Sequence, residues 1–369
     1  MDKPLAGLKV VELARILAGP WAGQLLADLG ADVVKVERPE TGDDTRQWGP
    51  PFAPDGAAAY FHACNRGKTS VAIALDTTEG QAQVRALASE ADVLIENFKV
   101  GGLARYGLDH PSLAQINPGL VYCSITGFGQ DGPYAQRAGY DFVIQAMGGA
   151  MSLTGEPDGP PQKSGVAYAD MFTGLYATVA ILAALRERDR TGLGAHVDMA
   201  LLDTQVAVLG NQALYWMMSG EVPGRMGNGH VNLVPYQAFR VADGEIVVAV
   251  GNDRQFERLC ALLGLEALAR DERFRTNPAR VVNRAALIPL LERAMAGRRL
   301  REFSAALEDA GLPAGPINAV DAVFADPQVV HRGLRIGGAS PGLASPIVID
   351  GRRQLADRPA PRLGEHEPC

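Results

Sequence analysis

Apolar positions fall into short runs separated by glycine- and proline-bearing loops, and the early runs alternate between strand and helix periods. Lys9 to Leu13 (KVVEL) reads as a buried strand; the turn RILAGP then leads into a helix from about Trp21 to Leu29, stopped by Gly30. Asp32 to Glu37 (DVVKVE) is a second strand. Strand, helix, strand is a parallel crossover unit, and its right-handed connection makes this the start of an α/β sheet. The alternation continues through the strand in NRGKTSVAIAL, a helix around Gln81 to Glu90, the strand ADVLIENF and the strand at 120–126 (LVYCSIT).

Further along, Met171 to Leu185 is nearly all apolar, Thr173, Gly174 and Thr178 excepted, so this helix is expected to be buried on most of its surface. The run would extend about 22 Å, short of a bilayer core, and reads as a core helix. Asp170 stands at its head. An Asp there is either an ordinary cap accepting the first free N–H groups, or a carboxylate facing a dry pocket that acts as a covalent nucleophile. In the second case the same N–H groups would hold it ionised. After Asp198, ALLDTQVAVLGNQALYWMMSG reads as one long apolar helix, and the glycine-rich EVPGRMGNGH breaks it. A hairpin, YQAFRVADGEIVVAV, turns at Asp243-Gly244, and amphipathic helices follow at Asp253 to Leu263 and about Arg284 to Ala296. The expected organisation is a large domain over 1–200, a linker helix at 201–224, a small α+β domain over 225–320, and a return segment to the large domain at 321–369.

Composition adds exclusions. In 369 residues, 47% are hydrophobic and 21% charged, as in an ordered globular chain. A formal charge of -7 argues against general nucleic-acid binding while leaving room for a local basic pocket. Cys64, Cys123, Cys260 and Cys369 match no zinc or redox spacing, so no metal site is expected, and reduced thiols in a cytoplasmic protein are the plain reading. The start MDKPLAGLKVVEL lacks a long apolar segment, so no secretory leader or membrane anchor is expected.

Ligands of parallel sheets gather at the carboxyl ends of the strands. Arg38, Asp44, Thr45 and Arg46 follow the second strand, and Arg66 and Lys68 stand at the start of the third. Asn97 and Phe98 end ADVLIENF, and Gly101-Gly102 precede Arg105, which is either a solvated charge or a ligand contact. No GxGxxG or GxxxxGK[ST] follows a strand, which counts against a dinucleotide or P-loop enzyme.

Taken together, LAGPWAGQLLADLGADVVKVERP, NRGKTSVAIAL, ADVLIENF, SITGFGQDGP, RAGYD, GVAYADMFTGLYA and RTGLGAHVDMALLD resemble the family III CoA-transferases. That superfamily also holds carnitine and bile-acid CoA-transferases and 2-methylacyl-CoA racemases. DDTRQWGPPF, QRAGYD and GHVNLVPYQAF are similar to the branch containing succinyl-CoA:glutarate CoA-transferase and its bacterial dicarboxylate relatives. The resemblance implies an α/β fold with a Rossmann-like large domain and a smaller α+β domain, in an interlocked, ring-like homodimer. It implies Asp170 as the nucleophile, surrounded by Tyr140, Asp141 and Gln145. CoA would be held by Ala18, Arg38, Lys68 or Arg66, Asn97, Phe98 and Arg105. CoA thioesters would be substrates, with no permanently bound cofactor. For a dicarboxylate acceptor, Arg46, Arg137 and His230 are the cations expected near the distal carboxylate, and Arg225 to His230 (RMGNGH) is the candidate closing loop. The family's racemases carry a His where this chain has Tyr140, so transfer is favoured over the alternative, isomerisation of an acyl-CoA.

Overall fold

A computed structural model describes residues 3–338 and 340–367, in two compact units. Cys369 lies outside the described residues, whereas Cys64, Cys123 and Cys260 are buried free thiols.

The first unit comprises Met1–Ala150, Lys163–Glu221 and Pro327–Cys369. Its strands are β1 (Lys9–Glu12), β2 (Asp32–Glu37), β3 (Thr69–Ala72), β4 (Val93–Glu96), β5 (Val121–Thr126) and β6 (Ala195–Ala200). They form one parallel sheet in the order β3-β2-β1-β4-β5-β6. Strand order reverses between β1 and β4, where Val11 pairs with Val34 on one side and Leu94 on the other. The crevice outside the carboxyl ends of these two strands is where open α/β sheets place ligands.

Both faces are covered, which is why β4 (VLIE) is buried at every position. On one face, Val10, Ile95 and Cys123 pack with α1 (Ala18–Asp28) and the 24-residue helix from Tyr168 to Thr191. On the other, Val11, Leu94 and Tyr122 pack with the helices at Thr78–Glu90 and His110–Ile116. Each of these fully enclosed aliphatic side chains contributes roughly 1.5–3 kcal/mol. Up to residue 219 the helices are, in chain order, α1, α2 (Ala59–His62), α3 (Thr78–Glu90), α4 (His110–Ile116), α5 (Asp141–Met147), α6 (Ala150–Leu153, whose last three residues belong to the second unit), α7 (Tyr168–Thr191), α8 (Leu201–Ala207) and α9 (Asn211–Ser219).

Several boundaries differ from the sequence reading. Helix α1 starts at Ala18, three residues early, with Leu17 as an N-cap that makes no side-chain cap bond. AHVDMA forms β6, and the apolar segment after it is two helices, broken where Gly210 adopts φ +53. By length and hydropathy α7 would pass for a membrane span, yet 44% of its most apolar window is buried in the fold. Its contact with α1 requires Gly174, since a Cβ there would lie 2.6 Å from the Ala18 carbonyl oxygen. The C-terminal segment returns to the β3 edge. Gly67 N donates to Arg358 O, and His366 N donates to Ser70 O.

The second unit comprises Met151–Gln162 and Val222–Asp326. Strands β7 (Tyr236–Val241), β8 (Gly244–Ala249) and β9 (Ala314–Pro316) form an antiparallel sheet. The hairpin loop is Ala242-Asp243, one residue earlier than the sequence suggests, because Val241 pairs with Gly244. Phe239, Ile246, Phe256, Leu287, Leu291 and Phe303 form its core. Arg280, fully buried, donates to the carbonyls of Val234 and Phe274 and pairs with Asp253 at 2.8 Å.

Candidate active site

Asp170 lies in the first turn of α7, two residues inside the helix, so it is not the N-cap residue. Another carboxylate does the capping. Asp141, first residue of α5, accepts from Ala169 N at 3.0 Å and from Asp170 N at 3.4 Å through Oδ1. Its Oδ2 accepts from Gln145 Nε2 at 2.6 Å, and Gln145 Oε1 accepts from Ser164 N at 2.9 Å. The α7 N–H groups expected to hold Asp170 ionised are therefore taken by Asp141. Among the described residues nothing donates to the Asp170 carboxylate, which is only 9% exposed. Burial, then the neighbouring charge of Asp141, raises its pKa to about 7. The result is a carboxylate with free lone pairs and a basicity far above that of an exposed Asp.

Asp170 opens into a cavity of about 210 Å³ at the strand-order reversal. The turn after β1 (Arg15 to Ala18), the segment after β4 (Asn97 to Val100), Arg137 and Tyr140 line it. A second cavity, about 740 Å³, shares Arg15, Phe98 and Lys99 with the first. Arg38 and Arg105 add cations to its wall, and Leu13, Val36, Ile73 and Tyr106 add apolar surface. The two cavities thus join the Asp170 carboxylate to a basic, partly apolar groove.

The structure brings together Asp170, Tyr140, Ala18, Asn97, Phe98 and Arg137 at one cavity, and Arg38, Phe98 and Arg105 at the other. Arg137 stacks over Tyr134 at 4.5 Å and has no ion-pair partner among the described residues. Asp141 and Gln145 act behind Asp170 through the bonds given above. Tyr60, unremarked in the sequence, is also close by: burial and then the charge of Asp170 raise its pKa to about 12.

Three expected cations are committed elsewhere. Arg46 was expected at the acceptor; it is 8% exposed, bonds Glu37 through both Nε (2.8 Å) and Nη2 (2.6 Å), and lies 3.7 Å over Phe61. Burial alone would raise Glu37, but Arg46 and Lys35 hold it below the ordinary carboxylate range. Lys68 was expected at CoA; its Nζ is fully buried on Glu12, Asn65 Oδ1 and Pro20 O. Arg66 precedes β3, which puts it at the amino edge, where it pairs with Asp28 at 2.7 Å. The sequence showed cations beside a strand without showing which edge they occupied. His230 belongs to the second unit, where its Nδ1 accepts from Asn232 N and its ring lies 5.1 Å from Tyr236. In the same unit Arg225 donates to Glu156 O and Gly159 O, tying the glycine-bearing loop to the 151–162 segment.

Residues 5–367 match CoA-transferase family III. The chain belongs to this family. It is 54% identical to a succinate–glutarate CoA-transferase of Agrobacterium fabrum, over 99% of this chain and 94% of that one. It is 42% identical to a human succinyl-CoA:glutarate CoA-transferase, over 99% of this chain and 84% of the human one. A CAIB/BAIF family protein from Brucella suis superposes with a TM-score of 0.90 at 59% identity, covering 99% and 98% of the two chains. As a family III CoA-transferase, the chain acts on CoA thioesters and carboxylic acids.

Proposed function

We propose that this CoA-transferase moves CoA from succinyl-CoA to glutarate through Asp170. The observation that carries the chemistry is a buried carboxylate, free of hydrogen-bond donors and raised in basicity, facing a cavity that adjoins a basic groove. The relatives' names supply the acids. The Asp170 carboxylate attacks the succinyl thioester carbonyl, forming a mixed anhydride and releasing CoA thiolate. The thiolate attacks the aspartyl carbonyl, giving an aspartyl-CoA thioester and free succinate. Glutarate attacks that thioester, forming a second anhydride and releasing the thiolate again. Attack of the thiolate on the glutaryl carbonyl yields glutaryl-CoA and restores Asp170, so the thioester bond energy is conserved.

Arg15, Arg38, Lys99 and Arg105 are the cations proposed for the CoA phosphates, with Phe98 and Tyr106 as apolar surface for its base. Of the three cations expected near the distal carboxylate of the acceptor, Arg137 is the one proposed for it, since it lines the Asp170 cavity. Tyr140, at the N-cap of α5, brings a phenol to the cavity; it does not supply the imidazole on which racemisation in this superfamily depends. A second copy of the chain fits the exposed apolar stripe of α7, where Phe172, Leu175, Tyr176 and Val179 recur at helical spacing. Buried free thiols accord with a cytoplasmic enzyme.

Incubation with succinyl-CoA and glutarate, followed by chromatography of CoA thioesters, tests the reading. Glutaryl-CoA and succinate should form in equal amounts. No glutaryl-CoA, with exchange of the 2-hydrogen of a methyl-branched acyl-CoA, would replace it with the isomerase reading.

A further inference from the structure

Ile16 is a β-branched residue with φ +75, in the left-handed region that such side chains rarely enter. It sits in the turn between β1 and α1, where Arg15 to Ala18 line the Asp170 cavity. Conformations of this kind persist only where the surroundings over-determine them. Here two side chains do so. As the β1–β4 ladder ends, Leu13 N and Ala14 N both donate to Ile95 O. Just past the end of β4, the Asn97 side chain takes over the pairing: its Oδ1 accepts from Arg15 N at 2.9 Å and its Nδ2 donates to Arg15 O at 2.6 Å. The next amide, Ile16 N, donates to the Asp43 carboxylate at 3.3 Å. Asp43 is fully buried and is itself fixed by Lys35 at 3.0 Å and by Thr45 N and Oγ1.

We propose that Asn97 and Asp43 are positioning residues: they hold the Arg15–Ile16 backbone in its left-handed turn and so set the cavity wall facing Asp170. Asn97 then acts through Arg15 and Ile16, with both ends of its amide engaged by Arg15. The turn matters because it aims the Arg15 side chain, which pairs with Asp44 at 2.7 Å and lies 5.8 Å from the Phe98 ring, into the wall shared by the two cavities. It also fixes the start of α1 against α7 at Gly174. The inference rests on the CoA-transfer reading for its kinetic readout.

A double-mutant cycle tests it. Asn97→Ala is made in the native chain and in an Ile16→Gly background, where glycine occupies the left-handed conformation without help. Turnover of succinyl-CoA is measured together with hydrogen exchange of the amides at residues 13–18. In the native background kcat/KM should fall on the order of 30-fold, with faster exchange at Arg15 and Ile16. In the Ile16→Gly background the same substitution should cost less than about threefold. Asn97→Asp, which keeps the acceptor for Arg15 N, should fall between the native chain and Asn97→Ala and covers the case in which Asn97→Ala does not fold. Equal costs in the two backgrounds would overturn the proposal and make Asn97 a direct CoA contact. Unchanged exchange at Arg15 and Ile16 would overturn it as well. A native chain that transfers no CoA would instead overturn the functional reading beneath it, and the exchange data would still decide whether Asn97 holds the turn.

Discussion

Asp170→Asn should make the protein more stable while abolishing transfer. Burial and the charge of Asp141 raise the Asp170 carboxyl from 3.8 to about 7. That is about three pKa units at about 1.4 kcal/mol each, or roughly 4 kcal/mol by which the folded state disfavours the ionised form. An asparagine of the same shape carries no charge to bury, but an amide without full hydrogen bonding returns about 1–2 kcal/mol of that gain. The net expectation is about 2–3 kcal/mol, a rise in Tm of roughly 3–4 °C for a chain of this size. The pH dependence follows from the direction of the shift. Because the folded pKa is raised, the native chain bears the full cost of the charge only above pH 7. The advantage of Asn shrinks as pH falls through 7 and vanishes near pH 5, where the remaining cost of the charge only matches that of the amide. Thermal unfolding of both proteins at pH 8, 6.5 and 5 reads this directly. A variant no more stable than the native chain at pH 8, or a gain independent of pH, would refute the reasoning.

Other consequences follow from the same geometry. Asp141→Asn removes the second cause of the Asp170 shift, so the rise of kcat/KM with pH should move to lower pH, by up to about one unit; a pH–rate profile checks it. Arg46→Ala strips buried Glu37 of its guanidinium, leaving Lys35 as the compensating charge, and should cost up to about 3–5 kcal/mol in denaturant unfolding. The ratio of dicarboxylate to monocarboxylate turnover should not change. Gly174→Ala gains about 1 kcal/mol in helix propensity but drives a methyl onto the Ala18 carbonyl. A net loss of about 1–3 kcal/mol, with a raised KM for succinyl-CoA, is expected from unfolding and steady-state kinetics.

Much of the fold was legible because the buried parallel strands carry dense apolar runs. DVVKVE forms β2 over the full predicted range, and the chemistry-bearing blocks do fall beside strand ends. Strand β6 was not legible, since AHVDMA alternates weakly at a sheet edge beside a strong helix. The broken helix after it was missed because Gly210 lies in an otherwise continuous apolar pattern. Asp170 stood out in the sequence by its place before an apolar helix, but its freedom from capping was invisible. That freedom depends on Asp141, which is 29 positions away and reaches the α7 amides only in the folded chain. Arg46 and Lys68 were misplaced for a related reason. Sequence shows a cation near a strand, whereas Glu37 and Glu12 buried beneath them decide where the charge goes. Arg15 and Ile16 were overlooked, although the residues after the first strand of such a sheet flank the strand-order reversal and could have been flagged on that ground.

The most direct test of the central claim is the intact mass of the protein after incubation with succinyl-CoA and hydroxylamine, with peptide mapping and Asp170→Ala as the control. Hydroxylamine intercepts an activated aspartyl group as its hydroxamate, so the account predicts a mass gain located at Asp170 that free glutarate suppresses. An unmodified protein, or a hydroxamate on another carboxylate that persists in Asp170→Ala, would contradict it.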